Sequence, residues 1–563
     1  MPNKPTTVAA FFRHALSPYN FPNDIPFIQL NTKPALDFSL FYRYMANSVS
    51  GSEISLSSST GKWILTSTIL ASSMAFIDST ALNVILPSLQ RDLQANGIDI
   101  FWILNAYLLM LASLILVGGS LGDKLGRKKI FMIGIAIFMV GSAACGLSPT
   151  VEWLIGARAV QGIGGALMIP GSLSIISATF HNKEKGKAIG TWSAATVLVT
   201  VGGPILGGAL GDAGLWRAIF FINLPIGLAS LIVLRLKVPE SSDDSIDHRL
   251  DYAGAITVVL GLALLTFGFL EIPELGWQHW KVYSSVAAGF LFMIGFVRIE
   301  QVKDNPMVPL NLFRDKTFAG ANLLTFLLYA GLAIAMLFLS LNLVQIQGYQ
   351  QVQAGMTMLP LTILLASLAR WVGGLVDRFG PRWFLVSGSL LAGLGFFWFS
   401  QVGITEGPTE FWTTYFPGIM LFGLGMALTV VPLTTTVMSS VEDQHAGTAS
   451  GINNSMTRTA NVFANAAIGA LAVVLFTDFL APVIDSLSLT DNVEQSVMQQ
   501  AVNLGDAQVP ESVSTDQQTE VKQAYEQAFI TMFNQIMYIS AGLAWLSAVT
   551  ALVLIENRYV LTK

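Results

Sequence analysis

Among 563 residues there is a single cysteine, Cys145, and it lies inside an apolar stretch. One thiol builds neither a disulfide framework nor a multi-thiolate metal site, so Cys145 reads as a small packing residue. Charge is also scarce: only 12% of residues are Asp, Glu, Lys or Arg, and no soluble domain of ordinary size is visible. The five histidines, His14, His181, His248, His279 and His445, are scattered and mostly in loops. The clustered nucleophile or metal constellation of a membrane enzyme is therefore missing. Neither a metal site nor an organic cofactor is expected, and nothing calls for nucleic acid or names a partner protein. Residues 1–60 mix Pro, Ser, Asn and isolated aromatics without a sustained apolar core, which makes them a flexible tail rather than a signal peptide. Phe11, Phe12, Phe38, Phe41 and Tyr42 could form a short amphipathic piece on the membrane surface.

What remains is apolar. Hydrophobic residues make up 53% of the chain, with 50 glycines spread through them, the profile of a polytopic helical membrane protein. Fourteen runs near 20 residues are long enough to span a bilayer. They open near Trp63, Phe101, Ile130, Glu152, Ala188, Trp216, Tyr252, Tyr283, Phe318, Met356, Phe384, Phe411, Ala446 and Ala528. A short pattern recurs between them: Gly119, Leu121, Asp123, Lys124, Gly126 and Lys128 return 254 positions later as Gly373, Leu375, Asp377, Arg378, Gly380 and Arg382. Each copy sits between two spans, so the chain reads as a duplication with the repeated element as a tight interhelical loop. Eight helices fit the offset, which inserts two helices between six-helix halves. The expected architecture is an all-α integral membrane protein: a tail over 1–60, a six-helix bundle over 61–238, two inserted helices over 250–300 and a second bundle over 316–557.

Basic residues orient the spans, because Lys and Arg are retained on the cytoplasmic side. With an internal N-terminus, 18 of the 30 fall on inner loops or the C-terminus, and only Arg91, Arg217, Lys281 and Lys522 fall on outer ones. Both termini are thus expected in the cytoplasm. The outer stretch 478–526 carries nine acids against Lys522. It reads as a solvated loop with a little helix leading into the last span, or else as an outer lid or cation attractor.

Several separate motifs resemble the major facilitator superfamily and, within it, the fourteen-helix drug:proton antiporters. The first loop, GSLGDKLGRKK, is similar to the superfamily's loop motif. MAFIDSTALNVILP in the first span aligns Asp78, Asn83 and Pro87 with the family pattern, and RAVQGIGGALMIPG in the fourth aligns Arg158, Gln161, Gly162 and Gly164. VTVGGPILGGAL resembles the antiporter motif through Gly203, Pro204, Gly207 and Gly208, although Val199 replaces its opening glycine; WRAIFFINLPIG matches with Ala218 in place of a second tryptophan. The resemblance implies a major facilitator fold of two six-helix bundles plus two inserted helices in a bacterial inner membrane. It also implies a conformational latch built from Gly119, Asp123, Gly126, Arg127, Asp377 and Arg378.

Asp78 is the one carboxylate that these spans place well inside the membrane, and such a group is costly and therefore a functional candidate. Counted at about 1.5 Å per residue, it lies roughly 8 Å from the outer edge of a ~30 Å core, and Arg158 reaches the same level from outside. Burial raises a carboxyl pKa and a nearby cation lowers it, so Asp78 is expected to take the coupling proton with Arg158 tuning it. A buried pair that only fixes helix packing is the alternative. Gly203, Pro204, Gly207 and Gly208 form a small-residue face with a helix breaker, suited to a hinge or a seal. The thirteenth span is unusually polar, with Asn453, Asn454 and Arg458, and should face a cavity. With Asn83, Gln161, Trp192, Tyr329 and Tyr538 as further lining, that cavity would accept bulky amphipathic solutes. No second intramembrane carboxylate appears in the C-terminal half, which argues against a preference for dications. The leading expectation is proton-driven export of small amphipathic molecules, with protons as coupling ion and the bilayer as surroundings. Export of a lipid, siderophore or metabolite, or a channel or sensor role, remain alternatives.

Overall fold

In a computed structural model the described residues are 54–180, 182–240, 251–304, 306–442, 446–487 and 489–557, apart from a few side chains within helices. Among them fourteen helices are long and apolar enough to cross a membrane. We number them α1 (Ser59–Leu93), α2 (Gly97–Leu125), α3 (Arg127–Gly146), α4 (Val151–Thr179), α5 (Asn182–Asp212), α6 (Ala218–Lys237), α7 (Tyr252–Leu270) and α8 (Trp280–Val302). The set continues with α9 (Lys316–Leu341), α10 (Leu359–Phe379, entered through a turn at Gln351–Met356), α11 (Arg382–Phe399), α12 (Tyr415–Ser439), α13 (Ala446–Ser486) and α14 (Thr515–Leu554).

Helix starts follow from local chemistry. A helix leaves its first N–H groups without partners, and a side-chain oxygen just ahead of it accepts from them. Ser58 does so for α1, Thr150 for α4, Asp251 for α7 and Asp315 for α9, while Asn96 and Asp99 close a reciprocal capping box on α2. Prolines 87, 170, 204, 432 and 482 sit inside helices, which membrane helices tolerate where neighbours satisfy the freed carbonyls. The carbonyl that Pro87 leaves without its helical partner is that of Asn83, and Ser340 of α9 donates to it at 3.1 Å.

The duplication is visible in how the helices pack. In the first half α1 lies against α5 and α6, and α4 lies between α2 and α3; in the second, α9 lies against α13 and α14, and α12 between α10 and α11. The halves meet along two seams, α2 with α13 and α5 with the entrance of α10. A twofold relation between the halves converts one seam into the other. The inserted helices α7 and α8 pack on each other, and α7 rests against α2 and α13, with Phe267 beside Trp102 and Phe269 edge-on to Phe463.

The stretch 478–526 differs from a solvated loop. α13 runs for 41 residues, about 60 Å at the helical rise and twice the ~30 Å apolar core of a bilayer. α14 likewise begins at Thr515, well before Ala528. Between them the helix Asp491–Gln499 and the turn Gln500–Asp506 fold back with Val497, Ala501 and Leu504 buried. Tyr525 donates to the Val497 carbonyl at 2.9 Å, and Gln90 of α1 donates to that of Asn503 at 3.2 Å. Burial here pushes the Asp506 carboxyl above its ordinary pKa. The apolar residues interleaved with the acids decide this outcome, because a helix that presents them to one side gains more by packing than by solvation.

At the opposite, basic face the two copies of the repeated loop are fastened alike. Gly126 holds φ at 104°, and the α3 N-terminus that follows is capped by Glu240, whose oxygens accept from the Lys128 and Lys129 N–H groups at 2.9 and 3.1 Å. Gly380 holds φ at 78°, and Asn557 donates to the Phe379 carbonyl beside it at 3.2 Å. Each fastener comes from the segment just after the last helix of its own half.

A Cβ at Gly126 would come within 2.8 Å of the Glu240 carboxyl carbon, and the backbone there disfavours any L side chain. Gly126→Ala is expected to cost about 1–3 kcal/mol, read as a lower unfolding midpoint in detergent.

Candidate functional site

Asp78 lies in the interior of α1, and Arg158 and Gln161 lie one turn apart on the facing side of α4. A guanidinium nitrogen of Arg158 sits 2.5 Å from Asp78 Oδ2, and both side chains are only 1% exposed. Gln161 completes the triangle, donating from Nε2 to Asp78 Oδ1 at 2.8 Å and accepting from Arg158 at 2.6 Å. The guanidinium lies 4.4 Å over the Tyr107 ring, an added cation–π contact. Behind Gln161, Ser142 Oγ accepts from Asn223 at 2.9 Å and donates to the Phe220 carbonyl at 2.8 Å. Desolvating two charges is expensive, and a buried pair persists only where neighbours satisfy the remaining donors and acceptors. Here α1, α2, α3, α4 and α6 all contribute to that satisfaction.

This cluster adjoins a cavity of about 2390 Å³ whose wall includes Arg158, Tyr107 and Asn83 at its deep end and Arg127, Lys185 and Arg314 at the basic face. Trp192, Tyr329, Asn453, Asn454 and Arg458 line it as well. Asn453 is held by α9, donating to Thr325 Oγ1 at 2.7 Å and to Asn322 Oδ1 at 3.2 Å, and Trp192 donates to Ser72 at 3.0 Å. Two expected lining residues lie elsewhere. Gln161 is fully buried, because Asp78 and Arg158 claim both ends of its amide. Tyr538 turns toward α11, where it accepts from Gln401 at 2.9 Å and packs on Phe397.

Gly203, Pro204, Gly207 and Gly208 lie where α5 passes between α1 and α10. A Cβ on Gly207 would approach the Ala81 carbonyl to 2.7 Å, one on Gly208 would meet the Gln351 backbone, and the Pro204 carbonyl lies 2.5 Å from where Gly355 would carry one. Only backbone-to-backbone contact fits here. Just beyond, Asp212 accepts from the Gln351 and Val352 N–H groups at 2.8 and 2.9 Å, and Ser340 of α9 donates to the Asn83 carbonyl at 3.1 Å. The acidic face is closed by these contacts between halves while the cavity opens at the basic face. Of the latch residues, Gly119 and Arg127 line the cavity mouth and Arg378 is exposed at the end of α10. The side chains of Asp123 and Asp377 lie outside the described residues.

Sequence reading missed a second polar group at the mouth. Asp251, capping the first inserted helix, and Glu300, on the second, are buried together beside Gly254, where a Cβ would lie 2.6 Å from a carboxylate oxygen of each. Lys303 Nζ lies 2.5 Å from Asp251 Oδ1, and the Val308 N–H donates to Glu300 at 2.7 Å. Burial works against the charge on Asp251, but Lys303, the Gly254 N–H and the Glu300 carboxyl outweigh it and hold Asp251 below the ordinary carboxylate range. The position of Asp251 just ahead of an apolar run was the available signal. Among the described residues no cluster of metal-ligating side chains occurs.

The profile described as Major Facilitator Superfamily matches residues 68–465. The tetracenomycin C resistance and export protein of Streptomyces glaucescens is 32% identical over 400 residues, covering 71% of this chain and 73% of that protein. The multidrug resistance protein Stp of Mycobacterium tuberculosis is 32% identical over 433 residues, covering 76% and 79%. Among solved structures, a bacterial homolog of the human lysosomal transporter Spinster, inward-facing and unoccupied, covers 90% of this chain and 100% of its own with a TM-score of 0.59 at 17% identity. That likeness is one of fold.

Two outcomes follow from the charge clusters. Arg158→Met strands the Asp78 carboxylate and is expected to cost about 3–5 kcal/mol, whereas Asp78→Leu with Arg158→Met recovers most of it; thermal unfolding in detergent reads both. Because the Asp251 pKa is depressed by folding, its stabilisation is present above the unfolded carboxylate pKa and is lost as pH falls through the folded one. Exchange protection in the first turn of α7, taken relative to the intrinsic amide rate, should therefore fall below roughly pH 4, and Asp251→Asn should abolish that pH dependence.

Proposed function

The chain belongs to the major facilitator superfamily, and on that premise we propose that it exports bulky amphipathic small molecules in exchange for protons, by alternating access between two six-helix halves. The single observation that carries the solute side is the cavity, about 2390 Å³ and walled by both halves at the level of Arg158. That volume exceeds the range of drug-sized pockets, roughly 300–1,000 Å³. The drug-resistance and export names of the relatives point the same way. In this reading the basic face and both termini are cytoplasmic, and the membrane is a bacterial plasma membrane. The conformation is then open to the cytoplasm and sealed outside along α5 and α10.

Asp78 is the proton carrier in this mechanism. Facing the outside, it takes up a proton, loses its negative charge and releases its hold on Arg158. The freed Arg158 keeps its bond to Gln161 and turns toward the cavity wall. Facing inside, the Arg158 guanidinium draws Asp78 back to its charged form and the proton leaves. Solute and proton compete because both act on the same pair. Gly203, Pro204, Gly207 and Gly208 let α5 slide against α10 as the outer seal breaks. Gly119, Asp123, Gly126 and Arg127, with Asp377 and Arg378, latch the inner face when it closes.

Reconstituted protein should expel a panel of amphipathic solutes when a pH gradient is imposed, acid on the outer side. Asp78→Asn should lower gradient-driven export by roughly 100-fold or more, the scale expected when a positioned proton-transfer group is lost, while leaving solute binding in place. Unimpaired coupling in Asp78→Asn would rule Asp78 out as the carrier.

A further inference from the structure

Arg458 lies on α13, half-buried, in the wall of the cavity. Tyr107 from the first half and Tyr329 from the second line the same cavity. Among the described residues no carboxylate pairs with it, in contrast to Arg158, whose charge is met by Asp78 at 2.5 Å. Among the described residues, the acids that reach the cavity, Asp251, Glu300 and Asp304, stand at the mouth on or beside the inserted helices, and the first two are already engaged with Lys303 and the Val308 N–H. The deep end therefore carries one uncompensated positive charge.

A cation held within the membrane-spanning region of a protein requires an anion or water to offset its desolvation. A cationic solute would find no free counter-charge there, because Asp78 Oδ2 is taken by Arg158 and Oδ1 by Gln161. We propose that Arg458 is the recognition point for an acidic group, a carboxylate or an ionised phenol, on an otherwise apolar aromatic solute. The apolar body lies along Tyr329, Leu332 and Met336 of α9, and the acidic group sits between Arg458 and the Asn454 amide one helical turn before it, which donates one hydrogen to the Ser450 carbonyl and has a second to offer. Tyr107 separates this position from Arg158, whose guanidinium stacks on the same ring. Arg158 itself stays buried with Asp78 and Gln161, so Arg458 is the cation of the two that meets the solute. This assignment rests on the export reading for the presence of a solute in the cavity.

The test compares 1-pyrenebutyrate with 1-pyrenebutanol, which share an aromatic body and differ in the acid. Saturable binding is measured on the full chain in lipid nanodiscs at pH 7, with empty nanodiscs subtracted. The acid is expected to bind about tenfold more tightly or better, the scale of one charge-assisted hydrogen bond. Arg458→Gln should remove that preference while leaving the alcohol's affinity within about twofold, and Arg458→Lys should restore most of it, since it keeps the charge. Equal binding of both probes by the unaltered protein, no saturable binding of either, or an equal loss for both in Arg458→Gln would overturn the proposal. The export reading fails separately, if reconstituted protein moves no solute under a pH gradient although the acid preference in binding persists.

Discussion

One buried ion pair sets the terms for much of the first half. Asp78 and Arg158 are held out of water at 1% exposure, and neither could stay there alone, because an isolated charge in a low-dielectric interior is severely penalised. The surrounding architecture answers that demand. α4 supplies Gln161, α3 supplies Ser142, α6 supplies Asn223 and the Phe220 carbonyl, and α2 supplies the Tyr107 ring. Five helices meet at this pair, and in the mechanism proposed above a change of protonation at Asp78 would be felt by all of them together.

The second constraint is geometric. Two halves that rock past each other need seams where backbones approach closely and nothing interlocks. The α5 seam meets it with glycines whose missing Cβ atoms leave room for Ala81 and the Gln351 backbone. At the end of this seam away from the basic face, Asp212 accepts two N–H groups from the α10 entrance. Such bonds form and break without stranding a charge in the membrane core, since Asp212 is exposed to solvent.

Much of this was legible in the amino-acid order. Fourteen spans, the inserted pair and the meeting of Asp78 with Arg158 followed from hydropathy, the repeat offset and the rise of a helix. Periodicity gives depth in the membrane well and azimuth poorly, and the errors follow that division. Gln161 was placed at a plausible depth but on the cavity side, whereas its amide is consumed by the buried pair. Tyr538 lies on the side of α14 that faces α11. The folded outer stretch escaped notice because its acids dominate composition, while Val497, Ala501 and Leu504 decide its packing. Asp251 and Glu300 escaped because their partnership joins residues 49 positions apart on helices the superfamily's twelve-helix plan does not contain.

The fasteners of the repeated loop descend from one ancestral half, yet they have become chemically unlike. Glu240 grips the first copy through a full negative charge on two N–H groups, whereas Asn557 touches the second through a neutral amide. Charge-assisted contacts at an exposed face weaken as salt screens them, and neutral hydrogen bonds respond little. Salt therefore acts on the Glu240 cap of the first copy, while the charged contacts of Lys128 and Arg382 to the Val238 and Leu552 carbonyls tie both copies down alike.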